Sequence, residues 1–133
     1  MNDGLNIDSN GTKRWYLNGK QHRTDGPAVE FENGDKYWYL NDKRHRTDGP
    51  AIEHSNGTKG WYLNDKLNRE DGPAIEYPSG KKSWYLNGER HRTDGPATEY
   101  YNGTKRWYLN GINISQEEYL KRTRNFKLDL LGL

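Results

Sequence analysis

Four histidines, a repeated Asp-Gly and five serines are the residues of this chain whose types could carry chemistry. His22, His45 and His91 each open the same string, "HRTDGPA", and Asn68 opens its near copy "NREDGPA", while His54 stands elsewhere. Imidazoles at one repeated position could bind a metal. However, ligands must converge and be held by further hydrogen bonds, and Asn68 interrupts the column, so no metal ligand is assigned. Asp25-Gly26 and its copies at Asp48, Asp71 and Asp94 could suit calcium. They lack the clustered oxygen ligands of an EF-hand loop or the dense glycines of a calcium-binding β-roll. Ser9, Ser55, Ser79, Ser83 and Ser115 offer hydroxyls, but none lies in Gly-x-Ser-x-Gly, and no glycine-rich phosphate loop is present. Catalysis needs one asymmetric constellation, whereas here almost every notable residue recurs several times. The expectation is a non-enzyme without catalytic residues, cofactor or metal.

The recurrence has a strict period. Trp15, Trp38, Trp61, Trp84 and Trp107 are each 23 residues apart, and each opens the string "WYL". Such self-similarity marks a repeat architecture. Each unit also holds Asn-Gly or Ser-Gly at one place, as at Asn33-Gly34, and Asn-Gly between alternating strands is the strongest short signal for a hairpin. A two-residue type I′ turn there predicts strands near 27–32 and 35–40. It sets Val29 opposite Trp38, Phe31 opposite Lys36 and Pro27 opposite Leu40 on one face, with Ala28, Glu30, Tyr37 and Tyr39 on the other. The tryptophan column then becomes the core. "HRTDGPA" becomes the corner between hairpins, with Gly26 supplying a backbone conformation other residues resist and Arg23 and Glu30 entering a ladder of opposite charges. On this reading the histidines are dispensable to the fold.

Composition bounds the rest. The 133 residues are 30% hydrophobic with a net charge of +2, so a large core is not expected, yet 5 Trp, 10 Tyr and 2 Phe argue against disorder. Without cysteine there is no disulfide framework. The opening "MNDGLNIDSNG" lacks a basic stretch and an apolar run, and no segment reads as a membrane span, so a cytoplasmic setting is expected and membrane contact is disfavoured.

The fold class read from these patterns is mainly β, an elongated antiparallel meander of five hairpin units over 1–111, the first an atypical cap, followed by a C-terminal α-helix over 112–133 that docks on the sheet. Ser115 and Glu118 form a capping box with Ile114 and Tyr119 as a hydrophobic staple, and Tyr119, Thr123, Phe126, Leu130 and Leu133 follow one helical face.

The text from Trp15 to Gly34, "WYLNGKQHRTDGPAVEFENG", and its copies over about residues 10–111 resemble the MORN repeat in a shorter variant form. The Tyr-x-Gly that opens the MORN strand is absent, and "RTDGPA" stands where Gly-x-Gly is usual. The resemblance implies an elongated sheet used for scaffolding, protein contact or lipid headgroup contact. Similar wording in phage and large-virus proteins implies a viral accessory role, such as occluding a host defence protein in the host cytoplasm.

One helix cannot cover a sheet of ten strands, so the uncovered strip around Trp15 and Trp38 is expected to meet a target protein or a second copy, through Leu17, Val29 and Leu40. The alternative contact surface is the face of Tyr39, Tyr62 and Tyr85. Nucleic acid or anionic lipid is the competing ligand, since Lys13, Arg14, Lys36, Lys59, Lys82, Lys105 and Arg106 lie near tyrosines. It is disfavoured because Glu30, Glu53, Glu76 and Glu99 are placed on the tyrosine face.

Overall fold

The structure, a computed structural model, describes residues 2–132, with side chains described for 2–124 and 131–132. It is an antiparallel meander of short strands followed by one helix, Gln116–Leu130. Each repeat contributes two tight turns rather than one, and the chain is threaded through two rows of strand pairing.

In the first row, Val29–Glu30 pairs with Lys36–Tyr37, which pairs with Ile52–Glu53 of the next unit, and so on from Gly4–Ile7 to Lys105–Leu109. The hairpin turn is one residue longer than expected. Phe31 N–H donates to Asp35 O, Gly34 N–H donates to Phe31 O, and Gly34 alone in that loop has positive φ, at 96°. This is a type I turn closed by a G1 bulge, not a type I′ turn. Asn33 Oδ1 accepts from Asp35 N–H at 2.9 Å, and Asn10, Asn56 and Asn102 repeat that bond, with the Ser79 hydroxyl in the same role at 3.4 Å.

The extra loop residue shifts the register by one and exchanges the faces. Val29 lies opposite Tyr37, not Trp38, and Glu30 lies opposite Lys36. Val29, Tyr37 and Tyr39 therefore share one face. Glu30, Lys36 and Trp38 share the other. On that second face a ladder of alternating charge crosses the sheet: Lys13, Glu30, Lys36, Glu53, Lys59, Glu76, Lys82, Glu99, Lys105, each directly opposite the next.

The type I′ turns lie in the second row, at the other Asn of each unit. Asn41 and Asp42 both have positive φ, at 50° and 65°, and join Tyr39–Leu40 to Lys43–Arg44. Neighbouring turns bond edge to edge, Asp65 N–H to Arg44 O and Gly88 N–H to Leu67 O. The tryptophan is the joint between rows: Trp38 N–H donates to Ala51 O in the first, and Trp38 O accepts from His45 N–H in the second.

The tryptophans are half-buried, and the fully enclosed column is Ala28, Ala51, Ala74 and Ala97, each 0% exposed. Carrying the register one residue on sets Ala51 between Trp38 and Trp61. The expected tryptophan core is thus a ladder of rings with alanine between them. Among the described residues, Val29 and Thr98, each 1% exposed, are the largest side chains buried nearly as fully.

At the C-terminal end, Ile112–Ile114 is a strand paired to Lys105–Leu109, so the helix begins later than residue 112. Its cap is half as expected. Glu118 N–H donates to Ser115 Oγ at 3.1 Å, but the Glu118 carboxylate turns to Arg122 instead of returning to the cap. Phe126 and Leu130 side chains and Leu133 lie outside the described residues. No described helix is long and apolar enough to cross a membrane.

Candidate interaction surface

The corner motif builds its own side chain stack. Arg46 Nε donates to Asp48 at 2.9 Å, its Nη1 donates to Pro50 O at 3.0 Å and to Glu53 at 3.3 Å, and its guanidinium lies 3.9 Å from the Trp38 ring centroid. Arg23, Arg69 and Arg92 lie over Trp15, Trp61 and Trp84 in the same way. Gly49 forms the other side of the sandwich, since a Cβ there would stand 2.8 Å from the Arg46 guanidinium carbon. Gly26, Gly49, Gly72 and Gly95 have no positive φ. They are glycine to admit the guanidinium, which corrects the expected backbone role. The ladder of Arg and Glu is present, but within a unit, and Asp48 serves Arg46 rather than the following backbone.

The histidines also have a partner. Asn41, Asn64 and Asn110 N–H groups, each at the start of a type I′ turn, donate to Nδ1 of His22, His45 and His91 at 2.9–3.0 Å. Asn68 Oδ1 accepts from Asn87 N–H at 2.8 Å, and Asp3 Oδ1 serves Asn18 N–H likewise. Asparagine at position 68 is thus no interruption: its Oδ1 replaces the imidazole Nδ1 as acceptor. Among the described residues no three His, Asp or Glu side chains gather as a metal-binding group.

Successive corners enclose a groove. One, of about 570 Å³, is floored by Trp61 and Leu63 and rimmed by Arg46, Thr47, Asp48, Arg69, Glu70 and Asp71. Its copies over Trp38 with Leu40 and over Trp84 with Leu86 measure about 590 and 470 Å³. The rim aspartates Asp25, Asp48, Asp71 and Asp94 have side chains 80–87% exposed. The fourth such place is filled by the chain's own helix: Tyr119 is 2% exposed, its hydroxyl donates to Arg92 O at 2.6 Å and accepts from Gly95 N–H at 3.1 Å. Only about 240 Å³ remains open beside it, between His91, Thr93, Leu109 and the helix residues Arg122 and Thr123.

The opposite face is aromatic and basic. Phe31, Tyr37 and His54 meet edge to face at 5.1 and 5.6 Å. Arg44 lies 4.2 Å from the Tyr62 ring and bonds Asp65. Arg90 is bonded by Tyr85 Oη at 2.9 Å and Tyr108 Oη at 3.3 Å. Burial works against its charge, but these tyrosine contacts more than offset that and raise its pKa. Burial also raises the Tyr39 and Tyr62 hydroxyls.

The residues expected to meet a partner are divided by this arrangement. Leu17 is 41% exposed and Leu40 half-buried on the tryptophan side, whereas Val29, at 1% exposed, packs under the tyrosine face and is closed to any partner. Tyr39, Tyr62 and Tyr85 form one half-buried row. The corner residues Thr47 and Glu70 that rim the grooves are not singled out by the sequence, and Asp48 is singled out there only with the calcium and corner readings of Asp25 and its copies. Their signal was the exposed position next to each Trp-stacked arginine. Comparison with family models and with curated protein sequences returns no match.

Proposed function

We propose that the chain is a non-enzymatic binding or scaffolding protein that acts by covering the surface of another protein. The observation that carries this reading is the row of three equivalent open grooves, each with a half-buried tryptophan and leucine floor and an exposed acidic rim. Repetition at two strands per unit, about 9.6 Å, suits a partner that is extended or itself regular. The inhibitory role implied by the MORN-like resemblance is one form of such covering. A second copy could serve as partner at the Gly4–Ile7 edge, where Leu5 and Ile7 are 49% and 63% exposed.

A nucleic acid or anionic headgroup is the second reading, favoured by Arg90, whose side-chain bonds go to tyrosines alone among the described residues. The glutamates that counted against it occupy the other face. Capture of partners on the immobilised chain, with and without nuclease and across a salt series, separates the two. A protein retained after nuclease and lost on Thr47→Lys supports the first. Retention only of nuclease-sensitive, salt-labile material that depends on Arg90 overturns it.

A further inference from the structure

The helix shows in cis what one groove accepts. Tyr119 places its ring where the fourth groove would open and uses its hydroxyl twice, as donor to Arg92 O and acceptor from Gly95 N–H. The repeat supplies the same pair of backbone groups three more times: Arg23 O with Gly26 N–H, Arg46 O with Gly49 N–H, and Arg69 O with Gly72 N–H. None of these six groups has a hydrogen-bond partner among the described residues. Each pair borders an open groove.

We propose that the three open grooves are tyrosine receptors for a basic helix of another protein. This rests on the protein-binding reading and names its surface and partner chemistry. A phenol fits because the site offers an acceptor and a donor together beside a floor of tryptophan and leucine, which phenylalanine cannot satisfy. The partner is basic because each rim carries an aspartate at least 80% exposed. A partner with tyrosines about 10 Å apart along one face, roughly two helical turns, engages neighbouring grooves at once.

The test uses the full chain, isotope-labelled for its five indole N–H resonances, and a helix-stabilised peptide with the sequence from Ser115 to Arg124. Shifts at Trp38, Trp61 and Trp84, with Trp15 and Trp107 unmoved, are expected. The same peptide bearing Tyr119→Phe should bind about tenfold more weakly. Thr47 is exposed and rims two grooves, so Thr47→Lys should abolish the shifts at Trp38 and Trp61 and spare Trp84. Unmoved indoles at millimolar peptide, or equal binding of the two peptides, would overturn the proposal. In either case, a protein retained after nuclease by a chain carrying both Thr47→Lys and Glu70→Lys, which together alter the rims of all three grooves, would sink the grooves and leave the protein-binding reading standing.

Discussion

At the level of single residues, the corner glycine and arginine define each other. Gly72 stands where a Cβ would lie 2.9 Å from the Arg69 guanidinium carbon, so Gly72→Ala must lift the guanidinium off Trp61. The expected cost is about 1–3 kcal/mol by chemical denaturation. In an Arg69→Ala background the same substitution should cost almost nothing, because the clash has been removed. Additive costs would mean that the glycine is required for backbone reasons after all. The histidine column makes the opposite contrast. His45→Ala removes the acceptor for Asn64 N–H and should destabilise by about 1 kcal/mol, whereas His45→Asn keeps an acceptor at the same place, as Asn68 does, and should stay near wild type. Equal melting temperatures for the two variants would show that the bond contributes nothing.

Among the elements, the turns decide the faces and also link the units. Asp35 in one hairpin loop accepts from Ser55 N–H at 2.7 Å and from His54 Nδ1 at 3.1 Å in the next loop. The backbone bond from Ser55, then the one from His54, hold its carboxyl below its ordinary value of 3.8. A carboxyl whose pKa is depressed on folding contributes stability above the unfolded value and loses it as pH falls through the folded one. Asp35→Asn should therefore destabilise at pH 6–7, with the difference from wild type shrinking only as pH falls below the ordinary value of 3.8 and through the lower folded one. A gap of unchanged size as pH falls from 6 until the wild type itself acid-unfolds would exclude the charge as its origin.

These loops also explain what the sequence could and could not tell. The 23-residue period, the two-strand units and the Ser115 cap were legible because each depends on local residue types. The faces were not, because two Asn-led turns occur in every unit and the letters Asn-Gly suit both. One distinction was available: Gly11, Gly34, Gly57, Gly80 and Gly103 are never replaced, whereas the column of Gly19, Gly88 and Gly111 also holds Asp42 and Asp65. The first set has φ of 87–96°, outside the range an aspartate accepts readily, and Asp42 and Asp65 sit at 65° and 69°. Position 33 therefore needed the bulged turn. The tyrosine receptor was illegible for another reason, since it arises where residues 92, 95 and 119 meet and no local pattern joins them.

For the whole molecule, the unusual property is how little it hides. Among the described residues, Ala28, Val29, Ala51, Ala74, Ala97 and Tyr119 are the buried hydrophobic ones, and much of the remaining order comes from ring and guanidinium stacks, the charge ladder and backbone bonds between units. Heat capacity on unfolding follows apolar surface newly exposed, so calorimetry should give less per residue than the usual 12–15 cal/mol/K. A value within or above that range would mean that the chain buries apolar surface elsewhere, as by self-association.

The caps of the type I′ turns run in one direction. Asp3, His22, His45, Asn68 and His91 each serve a turn that lies later in the chain, and Asp35 does the same for the following loop. For these caps, a protein emerging from the ribosome amino end first carries the acceptor before the donor it will receive, whereas the Gln21 and Arg44 N–H groups wait for Asp42 and Asp65 of the next turn. Each new type I′ turn therefore finds the acceptor for its first N–H already in place, so these turns can be capped one unit at a time. Trimming from the carboxyl end leaves every surviving turn its acceptor. Removal of the opening residues leaves the first surviving turn bare, and the two ends of this nearly periodic chain are in that sense not equivalent.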